Sequence, residues 1–303
     1  MMPPTRMLLA ALFRSYVRYI PFSTGKRYLW ARVIDPYFAW KSHPFVASTL
    51  SGIKMKGDAK DIIPQYIYYF GIWEPHITRW VSRCLAPGDT FVDVGANVGY
   101  YSLLASRLVG KSGTVVAIEA SPQTVDDLLV NLELNGASNV RVINVAASES
   151  EGTAKIYRGH EYNTGLTTTL EGRGFDLEGE VHAAPLSAIL KYEELQAARL
   201  IKIDVEGAEW SVVAGMESLI KGTRPDLEII IEVNPELLAR RGKTPAELLK
   251  PFLSAGYHTY LLENDYSPQS YIPLPREKRP QRSSPPIQQT VDLVLSRQDA
   301  EYL

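Results

Sequence analysis

The stretch Thr90-Phe91-Val92-Asp93-Val94-Gly95-Ala96-Asn97-Val98-Gly99-Tyr100-Tyr101-Ser102 decides the fold. It begins as a short apolar, β-rich run, breaks at Gly95 and Gly99, and continues with Tyr101, Leu104, Ala105 and Leu108 at helical spacing. A strand, a glycine turn and a helix form the first half of a βαβ nucleotide-binding unit. A dinucleotide turn needs G-x-G-x-x-G, so that backbone amides can approach a pyrophosphate at the helix N-terminus. Here the two glycines stand four apart, Asn97 takes the place of the middle glycine, and Asp93 ends the strand. A carboxylate there repels a pyrophosphate. It suits a cation, such as the ammonium and sulfonium groups of S-adenosylmethionine (SAM). The turn Asp93, Gly95, Ala96, Asn97 and Gly99 therefore reads as a SAM site.

Outward from this turn, strands and helices alternate, which predicts an α/β fold with a mostly parallel sheet and helices on both faces. Gly113–Ala120, Val140–Ala146, Arg199–Val205, Leu227–Val233, Tyr257–Leu262 and Thr290–Ser296 read as the further strands, and Thr153–Tyr157 as an extra edge strand. Helices are expected over Pro122–Leu134, Ala208–Lys221 and Pro245–Ala255, and one opens at Pro75 with Ile77, Trp80 and Val81 on one face. Residues 1–72 form an N-terminal extension. It reads as helical over residues 1–40, with a break around Pro21–Gly25, and as short strands or a lid over residues 41–72. The segment Ser267–Gln289, rich in Pro, Arg, Lys, Ser and Gln, cannot bury a core and is predicted to be an extended or mobile loop.

Composition narrows the classes. The 303 residues are 45% hydrophobic and 22% charged, enough for one large α/β domain with its own core. A formal net charge of -2 gives no electrostatic case for nucleic acid. A single cysteine, Cys84, excludes a disulfide framework and a cysteine-based zinc cluster and fits a reducing, cytoplasmic compartment. From Met1 to Ile34 there are basic residues and no acid. The first reading of this segment is a helix whose Leu, Phe, Tyr and Ile cover the domain. The second is a basic amphipathic helix making peripheral contact with an anionic membrane.

Glu119 ends the second strand, where an acid accepts the two ribose hydroxyls of a nucleotide, with Ala120 beside it. Asn144 and Ala146, at the end of the third strand, are positioned to flank the adenine. In Lys202-Ile203-Asp204-Val205-Glu206, strand alternation puts the three ionisable residues on one side. Ionised groups on a central strand need a reason, since burying them unpaired is costly. Lys202 is read as structural, paired with Glu228 or Glu232. Asp204 is read as functional, taking a proton from a substrate hydroxyl or helping to hold a divalent cation. Glu232 and Asn234 end the neighbouring strand, and oxygens of this kind suit Mg²⁺; a metal is the lesser reading. His258 is a further candidate base. His76, His160 and His182 show no ligand spacing, and no Gly-x-Ser-x-Gly, P-loop or His-Glu-x-x-His motif is present.

Taken together, VDVGANVGYYS, IEASP, NLELNG, INVAAS and above all LIKIDVEGAEW resemble the FkbM family of SAM-dependent methyltransferases. The resemblance runs from about Glu74 to Trp210 and more loosely through IEVNPELL and GYHTYLL. It implies a Rossmann-like, seven-stranded sheet with an antiparallel last strand, and methyl transfer to a hydroxyl of a sugar, glycolipid or polyketide-like metabolite. The partner it implies is a small-molecule or glycan acceptor. Carried over, Asp93, Gly95, Asn97 and Gly99 are the SAM turn, Glu119 the ribose acid, and Asp204 with Glu206 the acidic pair at the reaction centre. The chain departs from the family at Pro185-Leu186-Ser187-Ala188, where members often carry Thr-Leu-Asp. Two alternatives remain beside this reading. A nucleic-acid methyltransferase is disfavoured by the absence of an Asn-Pro-Pro-Tyr-type motif, and a non-catalytic SAM-binding scaffold by the intact acidic pair.

Overall fold

The apolar runs become the strands of one mixed sheet in the computed structural model, which describes residues 3–20, 23–216, 219–220, 223–284 and 286–303. In chain order the strands are β1 (Pro44–Ser48), β2 (Lys54–Asp58), β3 (Thr90–Val94), β4 (Thr114–Glu119), β5 (Val140–Asn144), β6 (Ala146–Ala147) and β7 (Gly152–Arg158). They continue with β8 (Asp176–Ala184), β9 (Ala198–Ile203), β10 (Glu228–Val233), β11 (His258–Leu262), β12 (Gln281–Ser283) and β13 (Val291–Ser296). The main sheet has the order β12-β11-β13-β10-β9-β3-β4-β5. From β5 to β10 neighbouring strands are parallel, and β13 inserts antiparallel between β10 and β11. Alternation along the strands builds a core on each face. Val92, Val94, Ile201, Ile203, Ile229 and Ile231 share one apolar cluster, whereas Phe91, Leu200 and Ile230 face the other.

The sheet has eight strands where seven were expected. The extra one, β12, lies inside the Pro-rich segment and pairs antiparallel with β11. The other described residues of the segment are the extended chain expected, apart from a 3-10 turn at Pro268–Tyr271, but the segment does reach the core: Tyr271 and Ile272 are buried against the N-terminal aromatics. Pro285 in the same segment lies outside the described residues, as do Pro21, Phe22 and Lys221. The helix after β9 is described over Glu209–Met216.

The extension packs on the sheet rather than hanging from it. β1 and β2 form a hairpin, followed by the buried helix Ile62–Phe70. That run of Ile and Tyr favours a strand by propensity. It is helical because Asp61 caps it, Gly71 ends it at φ 77°, and nearly every side chain is buried. Trp30, Tyr66, Phe70 and Tyr271 pack edge-to-face or tilted, with centroids as close as 4.7 Å. Asn131 ties the hairpin to the glycine turn, accepting from the Lys56 N–H (2.7 Å) and donating to the Val98 carbonyl (3.0 Å). The predicted edge strand at Thr153–Tyr157 does not join the main sheet. As β7 it pairs with β8 in a separate sheet ordered β6-β8-β7. Largely polar DLEGEVHAA gave no sign of β8.

Candidate functional site

Ligands of open α/β sheets sit at the carboxyl ends of the strands. Here the ends of β3, β4 and β9 are drawn close together. The N–H groups of Gly95 and Ala96 both donate to the Ile118 carbonyl (2.9 and 3.0 Å), and the Asp204 N–H donates to the Val94 carbonyl (3.0 Å). Gly95 has φ 85°, and a Cβ there would lie 1.8 Å from the Asp204 carbonyl oxygen. Two adjoining cavities open at this point. The first is lined by Glu119, Ala120, Ala146, Ala147, Ile156 and the Thr164–Thr169 stretch. The second is lined by Trp73, Glu74, Tyr101, Arg173, Lys202, Glu232, Asn234 and Tyr266. Gly95, Asn97, Gly165, Asp204 and Glu206 line both.

In the first cavity Glu119 is held by the backbone. Its two carboxylate oxygens accept from the N–H of Asn97 (2.8 Å) and of Ser121 (2.9 Å). Burial pushes its pKa up to about 7, against the pull of these N–H groups. Asn97 supplies its N–H from a left-handed conformation, φ 50°, which Asn tolerates better than most residues. Ala96 lines the second cavity, and Ala120 and Ala146 the first. Three predicted cofactor residues are placed elsewhere. Asn144 turns back onto the β4 terminus, donating to the carbonyls of Glu119 and Ala120 (2.9 and 2.8 Å). Gly99, at φ 88°, lets the turn pass Leu128, whose Cδ1 would be 2.3 Å from an added Cβ. Asp93 lines neither cavity. It is 1% exposed, its Oδ2 accepts from Ser102 Oγ (2.6 Å), its Oδ1 has no partner, and burial raises its pKa to about 6. It lies on the same face as Phe91 and its neighbour Lys202, but is covered there by the helix that carries Ser102.

The second cavity is organised around a buried cation. Lys202 Nζ lies 2.6 Å from Asp204 Oδ2 and 4.8 Å from the centre of the Tyr101 ring. Burial works against its charge, but Asp204, Glu74 and Asp93 outweigh that and its pKa rises. So Lys202 pairs along its own strand and not with Glu228 or Glu232; Glu228 instead accepts from Cys84 Sγ (3.1 Å) and faces Arg199. Glu206 adopts φ 52° and meets Arg173 Nη1 at 3.4 Å; burial first, then the Asp204 charge, raises its pKa. Glu232 is raised by the same two causes in the same order. The lesser reading, Mg²⁺, finds no support. Among the described residues no three His, Cys, Asp or Glu side chains are grouped to hold a metal, and Lys202 already holds the Asp204 oxygen.

His258 is not brought into the cleft. It starts β11, level with Ser296 at the end of β13, and so lies at the amino ends of the parallel strands, opposite the cleft. There its Nδ1 meets Arg282 (2.6 Å). In its place the structure supplies residues that sequence reading missed. Glu74, buried at φ 41°, declines the usual capping role of its position. It accepts from Tyr101 Oη (2.7 Å), Tyr266 Oη (2.6 Å) and Asn264 Nδ2 (3.0 Å). The Thr164–Thr169 stretch is fixed from both sides: Thr164 Oγ1 donates to Asp61 and Thr168 Oγ1 to the Glu206 carbonyl (2.7 Å). A threonine run interrupted by a glycine-bearing turn was the one local hint of it.

A family model for the methyltransferase FkbM domain matches residues 93–259, more than half of the chain. Methyltransferase sdnD of Sordaria araneosa is 28% identical over 190 residues, covering 48% of this chain and 73% of that protein. Methyltransferase 1 of Beauveria bassiana (strain ARSEF 2860) is 27% identical over 165 residues, covering 47% of this chain and 66% of that protein. The crystal structure of methyltransferase FkbM from Methylobacillus flagellatus KT is similar at 14% identity and a TM-score of 0.42, over 96% of this chain and 59% of that one. The chain belongs to the FkbM-domain methyltransferases.

Proposed function

We propose that this chain transfers a methyl group from SAM to a hydroxyl oxygen of a sugar, glycolipid or polyketide-like metabolite. The observation that carries this reading is Asp204, whose residue borders both cavities while its carboxylate is held by Lys202 at 2.6 Å. The lining of the first cavity suits the cofactor's nucleoside. Glu119, oriented by two backbone N–H groups, retains lone pairs for ribose hydroxyls. Ala146, Ala147 and Ile156 offer apolar surface to an adenine. When bound, SAM supplies an electrophilic methyl group on a sulfonium.

The chain's own residues do the rest. A hydroxyl oxygen is a poor nucleophile until its proton leaves, and Asp204 is the carboxylate placed to accept or orient that proton. Lys202 fixes the carboxylate, and its own position is fixed by the Tyr101 ring. Arg173 and Glu206 close one side of the cleft. The second cavity mixes an apolar wall of Ile62, Ile63, Trp73 and Leu166 with Asn163, Glu232, Asn234 and Tyr266, a lining suited to a ring that carries several hydroxyls. Most of the catalysis is then positioning of the acceptor oxygen for an in-line displacement.

The test is incubation with methyl-labelled SAM and a panel of monosaccharides, glycolipids, hydroxylated polyketides, amines and nucleic acids. Label appearing in an alkali-stable ether on a hydroxylated acceptor is the expected result. Label found on amines or nucleic acid instead would overturn the O-directed reading.

A further inference from the structure

The helix Pro4–Tyr19 has two apolar faces, and the cleft uses neither. One faces inward: Ala10 and Val17 are buried, and Phe13 meets Phe38 edge-on at 5.1 Å. The opposite face carries Leu8, Leu12 and Tyr19 at helical spacing, with Leu9 beside them. Leu8 is 65% exposed, Leu12 56% and Leu9 42%. A helix that covers a domain keeps a polar outer face, so this one contradicts the covering role expected for its leucines. The charge around it has a single sign. Arg6, Arg14, Arg18, Lys26, Arg27 and Arg32 are the charged residues before Asp35. Their contacts do not neutralise them. Arg18 and Lys26 donate to backbone carbonyls, Arg27 to the Ile272 carbonyl, and Arg14 lies over the Tyr68 ring. Among the described residues no helix is long and apolar enough to cross a membrane.

We infer that the outer face of this helix docks on an anionic lipid surface. Leu8, Leu9 and Leu12 insert at the boundary of headgroups and acyl chains, and the exposed Arg6 and Arg32, rather than the inward-turned Arg14, Arg18, Lys26 and Arg27, are the cations open to lipid phosphates. A protein partner would be complementary in the same charge. The apolar stripe, interrupted only by Ser15, whose hydroxyl is turned onto the Ala11 carbonyl, lies on a helix packed flat on the fold and favours a bilayer.

The experiment is co-sedimentation of the full chain with vesicles of phosphatidylcholine alone and of phosphatidylcholine mixed with phosphatidylglycerol. Binding to the anionic vesicles is expected to be at least about tenfold tighter and to weaken with salt. The variant Leu8→Gln/Leu9→Gln/Leu12→Gln is expected to lose at least about tenfold of that affinity, with its circular dichroism and S-adenosylhomocysteine binding unchanged. Equal binding to both vesicles, or undiminished binding by the variant, overturns the inference. So does a wild-type dimer on a sizing column that the variant resolves into monomers, since a second copy would then be the occupant.

Discussion

Asp204→Asn lowers kcat by about 10²–10⁴-fold while S-adenosylhomocysteine still binds. Asparagine keeps the size of the side chain and leaves a carbonyl oxygen for Lys202 Nζ, now 2.6 Å from the carboxylate. The backbone bond from residue 204 to the Val94 carbonyl is untouched, so the junction of β3 and β9 survives. What disappears is the capacity to take a proton. Three readouts separate this from a structural effect: kcat falls, affinity for the product nucleoside holds, and circular dichroism is unchanged, although the unfolding midpoint drops because the buried Lys202 loses its closest countercharge. A parallel loss of folding and product binding would make Asp204 a structural anchor instead. Unchanged turnover would pass the proton-accepting role to Glu206. The Asp204 charge is one of the causes that raise the Glu206 pKa, so the variant would itself make Glu206 easier to ionise.

Gly95→Ala is expected to cost about 3 kcal/mol or more of stability and to abolish S-adenosylhomocysteine binding. Two independent obstacles stand against the methyl group. The backbone at φ 85° disfavours any side chain, and the new Cβ would sit 1.8 Å from the Asp204 carbonyl oxygen and 2.9 Å from its carbon. Neither atom belongs to a flexible side chain. Relief requires β3 and β9 to part at their carboxyl ends, where Val94 is paired with Ile203. That shift would carry Asn97 away from Glu119 and dissolve the carboxylate's anchoring. Thermal unfolding and calorimetric titration check the two halves. A variant that melts and binds like the parent would show that the close approach has no energetic consequence.

The parallel strands were legible because buried parallel strands are near-continuous apolar runs, as in Glu228–Val233. The glycine turn was legible because its spacing is a local property. The rest of the cleft was not, since its walls come from segments with no shared periodicity. Glu74 precedes a proline and reads as the start of a helix, yet its carboxylate is drawn away by Tyr101 and Tyr266, the latter 192 residues on. Arg173 sits in the loop between β7 and β8 and announces nothing until it meets Glu206. The face that Asp93 takes was implicit in alternation, and it is the face of Lys202, but that the helix carrying Ser102 would cover Asp93 was not. His258 failed because it starts a strand parallel to β10, and the start of such a strand lies at the end of the sheet opposite the cleft.

The central claim is that the turn after β3 and the acid after β4 form a site for the SAM nucleoside. Calorimetric titration of the purified chain with S-adenosylhomocysteine, and separately with NADH, tests it most directly. Saturable binding of S-adenosylhomocysteine, one molecule per chain, with no heat from NADH, is the predicted result. Binding of NADH in its place, or no saturable binding of S-adenosylhomocysteine, would contradict the account.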